Sequence, residues 1–188
     1  MESINYIRRN EKNLFLLFCA GLLIVIGLQL IQPLFPVYLV DDLGISESVI
    51  SIGGALFYLG VMVVSLALDR LNNRYERQSL LTLGVITYAV FPITISLFGS
   101  VGSVLTAHVL GGLAWGFAGT GTLNNLMDKV PEDDRPAHMA LNHIVMNIGI
   151  LAGAFLGPAL GDMIGIRTAI LAAGVLRIFA GIMVGRWA

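Results

Sequence analysis

The chain has 188 residues, of which 56% are hydrophobic and 12% charged, about half the charged share of a soluble globular domain, so a water-soluble surface cannot be built from it. Its 11 basic and 12 acidic residues give a formal net charge of −1 with no basic stripe, which excludes the electrostatic footprint of a nucleic-acid binder. The single cysteine, Cys19, lies in an apolar run; it excludes an intramolecular disulfide, offers no metal-ligand spacing, and reads as a small packed or lipid-facing residue.

Charges gather at residues 2–12, 41–47, 69–77, 128–135 and 162–167, and the apolar stretches between them are each near the length that crosses a hydrocarbon core. The pattern predicts one all-α membrane domain over residues 1–188, with helices at about 14–40, 49–68, 79–98, 104–127, 139–161 and 168–187. Lipid forces backbone groups to be satisfied within each segment, and the stretches lack the period-two alternation of a membrane barrel.

Arg8, Arg9 and Lys12 precede the first apolar run as in a secretory signal, but the run reaches from Leu14 to Val40 and no small-residue cleavage pattern follows, so it reads as a retained first helix. Within it Gln29 and Gln32 lie one turn apart on one face, and Pro33 and Pro36 remove backbone donors and free carbonyls. Such glutamines either face a water-filled cavity or hydrogen-bond between helices near the outer interface. After the second helix come Asp69, Arg70 and Arg74; an acidic residue at a helix C-terminus opposes the dipole, and nearby arginines compensate.

The fourth helix carries Gly112 and Gly116 for close packing, and Trp115, Thr122 and Asn125 at steps that align them on one face. Thr120 and Asn124 form a neighbouring row, and Asn124 and Asn125 also lie near enough to Asp128 and Lys129 to cap the helix end. His108, between Ala107 and Val109, reads as a hydrogen-bonded packing residue. In the fifth helix Gly149, Gly153, Gly157 and Gly161 recur every four residues on one face. His143 and Asn147 share another face, and a histidine there can take up a proton during a transport cycle. Arg177 falls at the centre of the sixth helix, a placement that costs about 2.5–3.5 kcal/mol on insertion scales. No acidic residue lies deep in any span, so the expectation is that Arg177 snorkels toward the cytoplasm; a substrate-facing arginine would instead call for an anionic ligand.

Orientation follows from the basic residues. With the N-terminus inside, cytoplasmic segments hold Arg8, Arg9, Lys12, Arg70, Arg74, Arg77, Lys129, Arg135 and Arg186, and the outer loops only Arg167. The expected location is the cell membrane, with both termini cytoplasmic.

The two halves of the chain are weakly similar. Ser65-Leu-Ala-Leu-Asp69-Arg-Leu-Asn-Asn-Arg74 follows the second helix, and Gly157-Pro158-Ala-Leu-Gly161-Asp-Met-Ile-Gly165-Ile-Arg167 follows the fifth. Each places a small residue, a four-residue step and a polar turn ending in arginine, which predicts a 3+3 inverted repeat with units at about 14–98 and 104–187.

Those segments, with Gln32-Pro33-Leu-Phe-Pro36-Val-Tyr38-Leu-Val-Asp41, Leu43-Gly44-Ile-Ser46-Glu47 and Val130-Pro131-Glu132-Asp133-Asp134-Arg135, resemble one half of a major facilitator superfamily transporter over nearly all of the chain. The signature loop is degenerate, with Ser65, Asn72 and Asn73 in place of two glycines and an arginine, and the likeness is greater to a C-terminal half. The resemblance implies a secondary transporter in which helices 1 and 4 line a central cavity for a small-molecule substrate. It casts Gln29, Gln32, Trp115, Thr122, Asn125, His143 and Asn147 as cavity candidates, Asp69, Arg70 and Arg74 as a cytoplasmic gate, Gly157-Pro158 as a packing element, and the sixth helix as peripheral. No cofactor is implied. The partners implied are the lipid bilayer and a second six-helix unit, either another copy or a separate half; the alternative is an isolated half serving as a non-transporting scaffold. An enzyme or channel finds no Gly-x-Ser-Gly, His-Glu-x-x-His or paired Asn-Pro-Ala element.

Overall fold

The computed structural model describes the backbone of residues 2–187, and within that range all side chains except those of 2–14, 17, 69, 77, 120–129 and 187. Among the described residues six helices are long and apolar enough to cross a membrane: Phe18–Asp42, Glu47–Leu68, Gln78–Phe98, Val101–Gly119, Glu132–Ile164 and Ile166–Arg186, numbered spans 1 to 6. No strand occurs among them.

Proline interrupts two spans. In span 1 the helix Glu2–Ile31 turns at Gln32 and Pro33, resumes as Leu34–Val37 and widens into a π-helical turn, Tyr38–Asp42. Pro33 and Pro36 supply no N–H to the carbonyls of Gln29 and Gln32, so the ladder is broken at two consecutive turns. Gly44, at φ +64°, ends the winding. Span 3 was expected to be continuous but divides at Ala89 into Arg77–Tyr88 and Val90–Phe98. The cause is Pro92, which has no N–H for the carbonyl of Tyr88 four residues before it. Span 4 is started by Gly99 in the left-handed region and by Ser100, whose hydroxyl accepts from the Ser103 N–H while the Ser103 hydroxyl accepts from the Ser100 N–H. Its helix runs Val101–Lys129.

Span 1 packs along span 5, span 2 along span 4, span 3 on span 4, and span 6 on span 1, with spans 3 and 6 against each other. Lipid tails are as apolar as leucine, so such pairs form where small residues let backbones approach. Gly149, Gly153, Gly157 and Gly161 are buried and meet, in order, Val25, Gln29, the Leu30 carbonyl and Leu34 of span 1. Across the bundle Gly112 rests on the backbone of Phe57 in span 2, Gly116 on Val64, and Gly60 of span 2 on the backbone of span 4. Pro158 is exposed beside Gly157. Side chains bound to backbone carbonyls tie spans 3 and 6 at both ends: Arg167 Nε donates to the Ser96 carbonyl at 2.7 Å, and Gln78 Nε2 to that of Val184 at 3.2 Å.

Two apolar clusters stack along the bundle, one around Leu39, Ile95, Val104 and Ile170, the other around Ala20, Leu81, Val85 and Val184. Spans 2 and 5 stand apart: in an apolar 18-residue stretch of each, 17% and 22% of the residues are buried, against 44–56% in such stretches of the other spans. Their outer faces, with Met62, Leu66, Leu151 and Phe155, therefore meet lipid or another protein.

Gly157→Leu would drive a side chain into the Leu30 carbonyl. It should lower the thermal unfolding midpoint in mild detergent, corresponding to a loss of about 1–3 kcal/mol. Gly21→Ala, with nothing within 4 Å of its added Cβ, should leave the midpoint unchanged; equal behaviour of the two variants would refute the close approach of spans 1 and 5.

Candidate functional site

The least expected side chain of the bundle is Arg177. It is 1% exposed, midway along span 6, between the two apolar clusters. Its Nη2 donates to the Gly27 carbonyl of span 1 at 3.2 Å, its Nη1 reaches the Tyr88 carbonyl of span 3 at 3.5 Å, and the guanidinium carbon lies 4.4 Å from the centre of the Tyr88 ring. The expected snorkelling is thus corrected. Arg186, at the span's end, is nine positions on from Arg177, ~13.5 Å along the helix, beyond the reach of the side chain. The sequence instead prepares a berth inside: Pro92 leaves the Tyr88 carbonyl free to accept, and Gly27 makes room for the arginine stem, whose Cγ would lie 3.3 Å from any Cβ at that position. Nε has no acceptor, and among the described residues no carboxylate pairs with the guanidinium.

Arg177 lines a crevice of about 190 Å³ between spans 1 and 2. Gln32 and Phe35 of span 1 form one wall and Gly54, Phe57 and Tyr58 of span 2 the other, with Tyr88, Phe91 and His108 on the inner side. Tyr88 and Phe91 lie nearly parallel, at 17° with centroids 6.2 Å apart, and Phe35 packs 5.3 Å from Phe91. His108 stands edge-on to Phe91 at 5.0 Å, its Nδ1 2.7 Å from the Val104 carbonyl. A carbonyl can only accept, so Nδ1 carries the proton and donates. Gly53 makes space for this ring: an added Cβ would lie 2.9 Å from it. Exposed Gln32 and Tyr58 sit at the mouth. A cation, aromatic faces and an amide form a surface suited to binding.

The residues singled out from sequence are dispersed. Gln29 is half-buried against Gly153, whereas Gln32 lines the crevice, so the two glutamines do not share one cavity wall. Trp115 is half-buried with its ring 5.4 Å from that of Tyr88, but it lines a separate hollow of about 90 Å³ with Val25, Gly119 and Met146. His143 and Asn147 are exposed on span 5, and the Asn147 amide donates to the His143 carbonyl at 2.8 Å within their own helix; neither reaches the crevice. Arg70 and Arg74 are exposed at the end of span 2. The side chains of Thr120, Thr122, Asn124, Asn125 and Asp69 lie outside the described residues. Sequence reading did not single out Tyr58, Tyr88 or Phe91; the signal for Tyr88 was Pro92 four residues later, and Tyr58 had none. Among the described residues no cluster of His, Cys, Asp and Glu could hold a metal ion.

The profile of the Major Facilitator Superfamily matches residues 17–188. Quinolone resistance protein NorA of Staphylococcus aureus (strain MRSA252) is 26% identical over 173 residues, covering 92% of this chain and 44% of that protein. Uncharacterized MFS-type transporter MJ1560 of Methanocaldococcus jannaschii is 22% identical over 173 residues, covering 92% and 45%. The chain spans just under half the length of these curated relatives.

Tyr88→Phe keeps both the ring beneath the guanidinium and the backbone carbonyl, and should leave unfolding in detergent nearly unchanged. Tyr88→Leu should destabilise by about 2 kcal/mol, the size of a desolvated cation–π contact. A leucine variant as stable as the phenylalanine one would show that the ring does not hold Arg177.

Proposed function

Because the chain belongs to the Major Facilitator Superfamily, a family of transporters, we propose that it is one six-helix unit of a secondary transporter, completed by a second such unit and moving a small solute by alternating access. The observation that carries this reading is the family match along residues 17–188 together with a polar crevice at membrane depth, where polar groups persist only in the service of packing or passage. The second unit is either another copy or a separate half, on its own chain or continuous with this one.

The packing pattern supports a three-plus-three inverted repeat. Exchanging span 1 with 4, 2 with 5 and 3 with 6 turns the pair 1–5 into 4–2 and the pair 1–6 into 4–3, and all four pairs are major contacts. A repeat of that kind places a solute site near mid-membrane and lets one unit rock against the other. The sparsely buried spans 2 and 5 supply the faces for that second unit. Nine basic residues on the N-terminal side of the membrane against one on the other support cytoplasmic termini. Arg70 and Arg74, with Asp69, then lie at the cytoplasmic end as gate residues. The name of the staphylococcal relative refers to quinolone resistance; an aromatic-lined crevice in the present chain is in keeping with export of a flat, ring-bearing solute.

Two measurements test this. Cysteines introduced at Met62 and Phe155 should cross-link in native membranes to a second polypeptide or to a contiguous second unit; recovery of only the 20.2 kDa chain would leave a non-transporting bundle. Cells producing the transporter should retain less of a planar fluorescent dye, and Gln32→Leu should raise retention about three-fold or more, the loss expected for one hydrogen bond, at equal membrane abundance. Retention unaffected by both production and Gln32→Leu would rule out the crevice as the route.

A further inference from the structure

Four spans make up the open side of the bundle. Span 5 packs on span 1, span 1 touches span 4, and span 4 packs on span 2, so they stand in the row 5–1–4–2 with spans 3 and 6 behind. Both edge helices leave a polar side chain exposed at mid-membrane. Asn147 is exposed near the midpoint of Glu132–Ile164, and Tyr58 is 73% exposed near the midpoint of Glu47–Leu68. The Asn147 amide nitrogen is used within its own helix, on the His143 carbonyl; its oxygen has no donor among the described residues. Lipid tails supply neither donors nor acceptors, so an amide and a phenol at that depth call for a protein neighbour or water.

The two edges also end in opposite charge. Spans 3 and 4 separate the end of span 2 from the start of span 5, so both ends lie on one side of the membrane. Residues 69–77, after span 2, include three basic and two acidic residues, and residues 128–135, before span 5, four acidic and two basic. Arg70 and Arg74 are exposed and have no carboxylate partner among the described residues. At the other edge Arg135 is committed to Glu132 at 3.3 Å and to the Val130 carbonyl, which leaves exposed Asp133 and Asp134 without a cation among the described residues. Heights agree as well: Tyr58 is 12 positions from Arg70 and Asn147 13 from Asp134, ~18 and ~19.5 Å along their helices. A two-fold axis along the membrane normal reverses the row, laying span 2 of one copy on span 5 of the other and the converse. Arginine then meets aspartate at the water end and Tyr58 meets Asn147 at mid-depth, each contact made twice. We infer that the second unit is another copy of this chain, in a two-fold dimer sealed along both edges by these contacts. The inference rests on the reading of the chain as one of two six-helix units.

The test is energy transfer between separately labelled chains in phosphatidylcholine vesicles, read as the dimer fraction over a range of protein-to-lipid ratios. The unaltered chain should dimerise. Arg70→Glu with Arg74→Glu should weaken the dimer at least about ten-fold, ~1.4 kcal/mol. Asp133→Lys with Asp134→Lys should do the same, since like charges then oppose each other. All four substitutions in one chain restore the opposition of signs and should bring the dimer back to within about three-fold of the unaltered one, an outcome that misfolding of either pair cannot mimic. A second measurement uses two differently tagged Cys19→Ser chains, one with Leu66→Cys and the other with Met139→Cys, both exposed positions ~6 and ~7.5 Å inside the charged ends. Oxidation should join the two tags. A monomer at every ratio would overturn the second copy, while capture of a different polypeptide by the Met62 and Phe155 cysteines in native membranes would leave the two-unit reading standing. A dimer indifferent to both reversals, one that the four substitutions together fail to restore, or tags that never join would each overturn the inference by removing the edge contacts.

Discussion

Backbone contact at glycine is the constraint from which the arrangement of this bundle follows. In a bilayer, association gains nothing from leaving water, so helices adhere where their surfaces can touch over many atoms. The stripe from Gly149 to Gly161 presses span 5 onto span 1, and Gly112 and Gly116 with Gly60 press span 4 onto span 2. Once those two pairs exist, spans 3 and 6 fill the back of the bundle. The seam between spans 1 and 2 stays loosely filled, and there the crevice lies.

Buried charge in that setting is made tolerable by backbone rather than by a counter-ion. A proline in span 3 and a glycine in span 1 each modify a helix at the height of Arg177. Pro92 leaves a carbonyl without its usual donor, and Gly27 removes the side chain that would block the approach. Both changes are local defects for their own helices and favourable for the neighbour. The same logic explains His108, whose ring is accommodated by Gly53 and oriented by the Val104 carbonyl. Arg177 and His108 are thus both held by main-chain carbonyls.

Much of this was legible from sequence because it depends on patterns a few residues long. Apolar length and charge spacing yield six spans and four-residue glycine recurrence marks a contact face, whereas Pro33 and Pro36, read only as freeing carbonyls in a continuous helix at about 14–40, in fact interrupt span 1. What spacing cannot supply is the identity of the neighbour. Gln29 and Gln32 share a helical stripe, yet one backs onto Gly153 and the other lines the crevice, since the face is split by span 5. His143 and Asn147 stand together on an exposed side of span 5 and do not line the crevice. Arg177 escaped because its surroundings come from Gly27 and Tyr88, 150 and 89 positions away in the chain. Pro92 was the available clue, meaningful only once span 3 is known to face span 6.

Spans 3 and 6 are held together by side chains that reach across to main-chain oxygens: Arg167 to Ser96, Arg177 to Tyr88, and Gln78 to Val184. Every residue type offers the same carbonyl, so at Ser96 and Val184 the link itself does not depend on the side chain that the receiving residue bears, whereas at Tyr88 the ring beneath the guanidinium is needed as well. The donors must be specified at all three. At Ser96 and Val184 the back of the bundle can accordingly accept other buried residues of similar size without losing its registration. Two proteins with this arrangement could diverge far in the composition of these helices while their axes kept the same relative height.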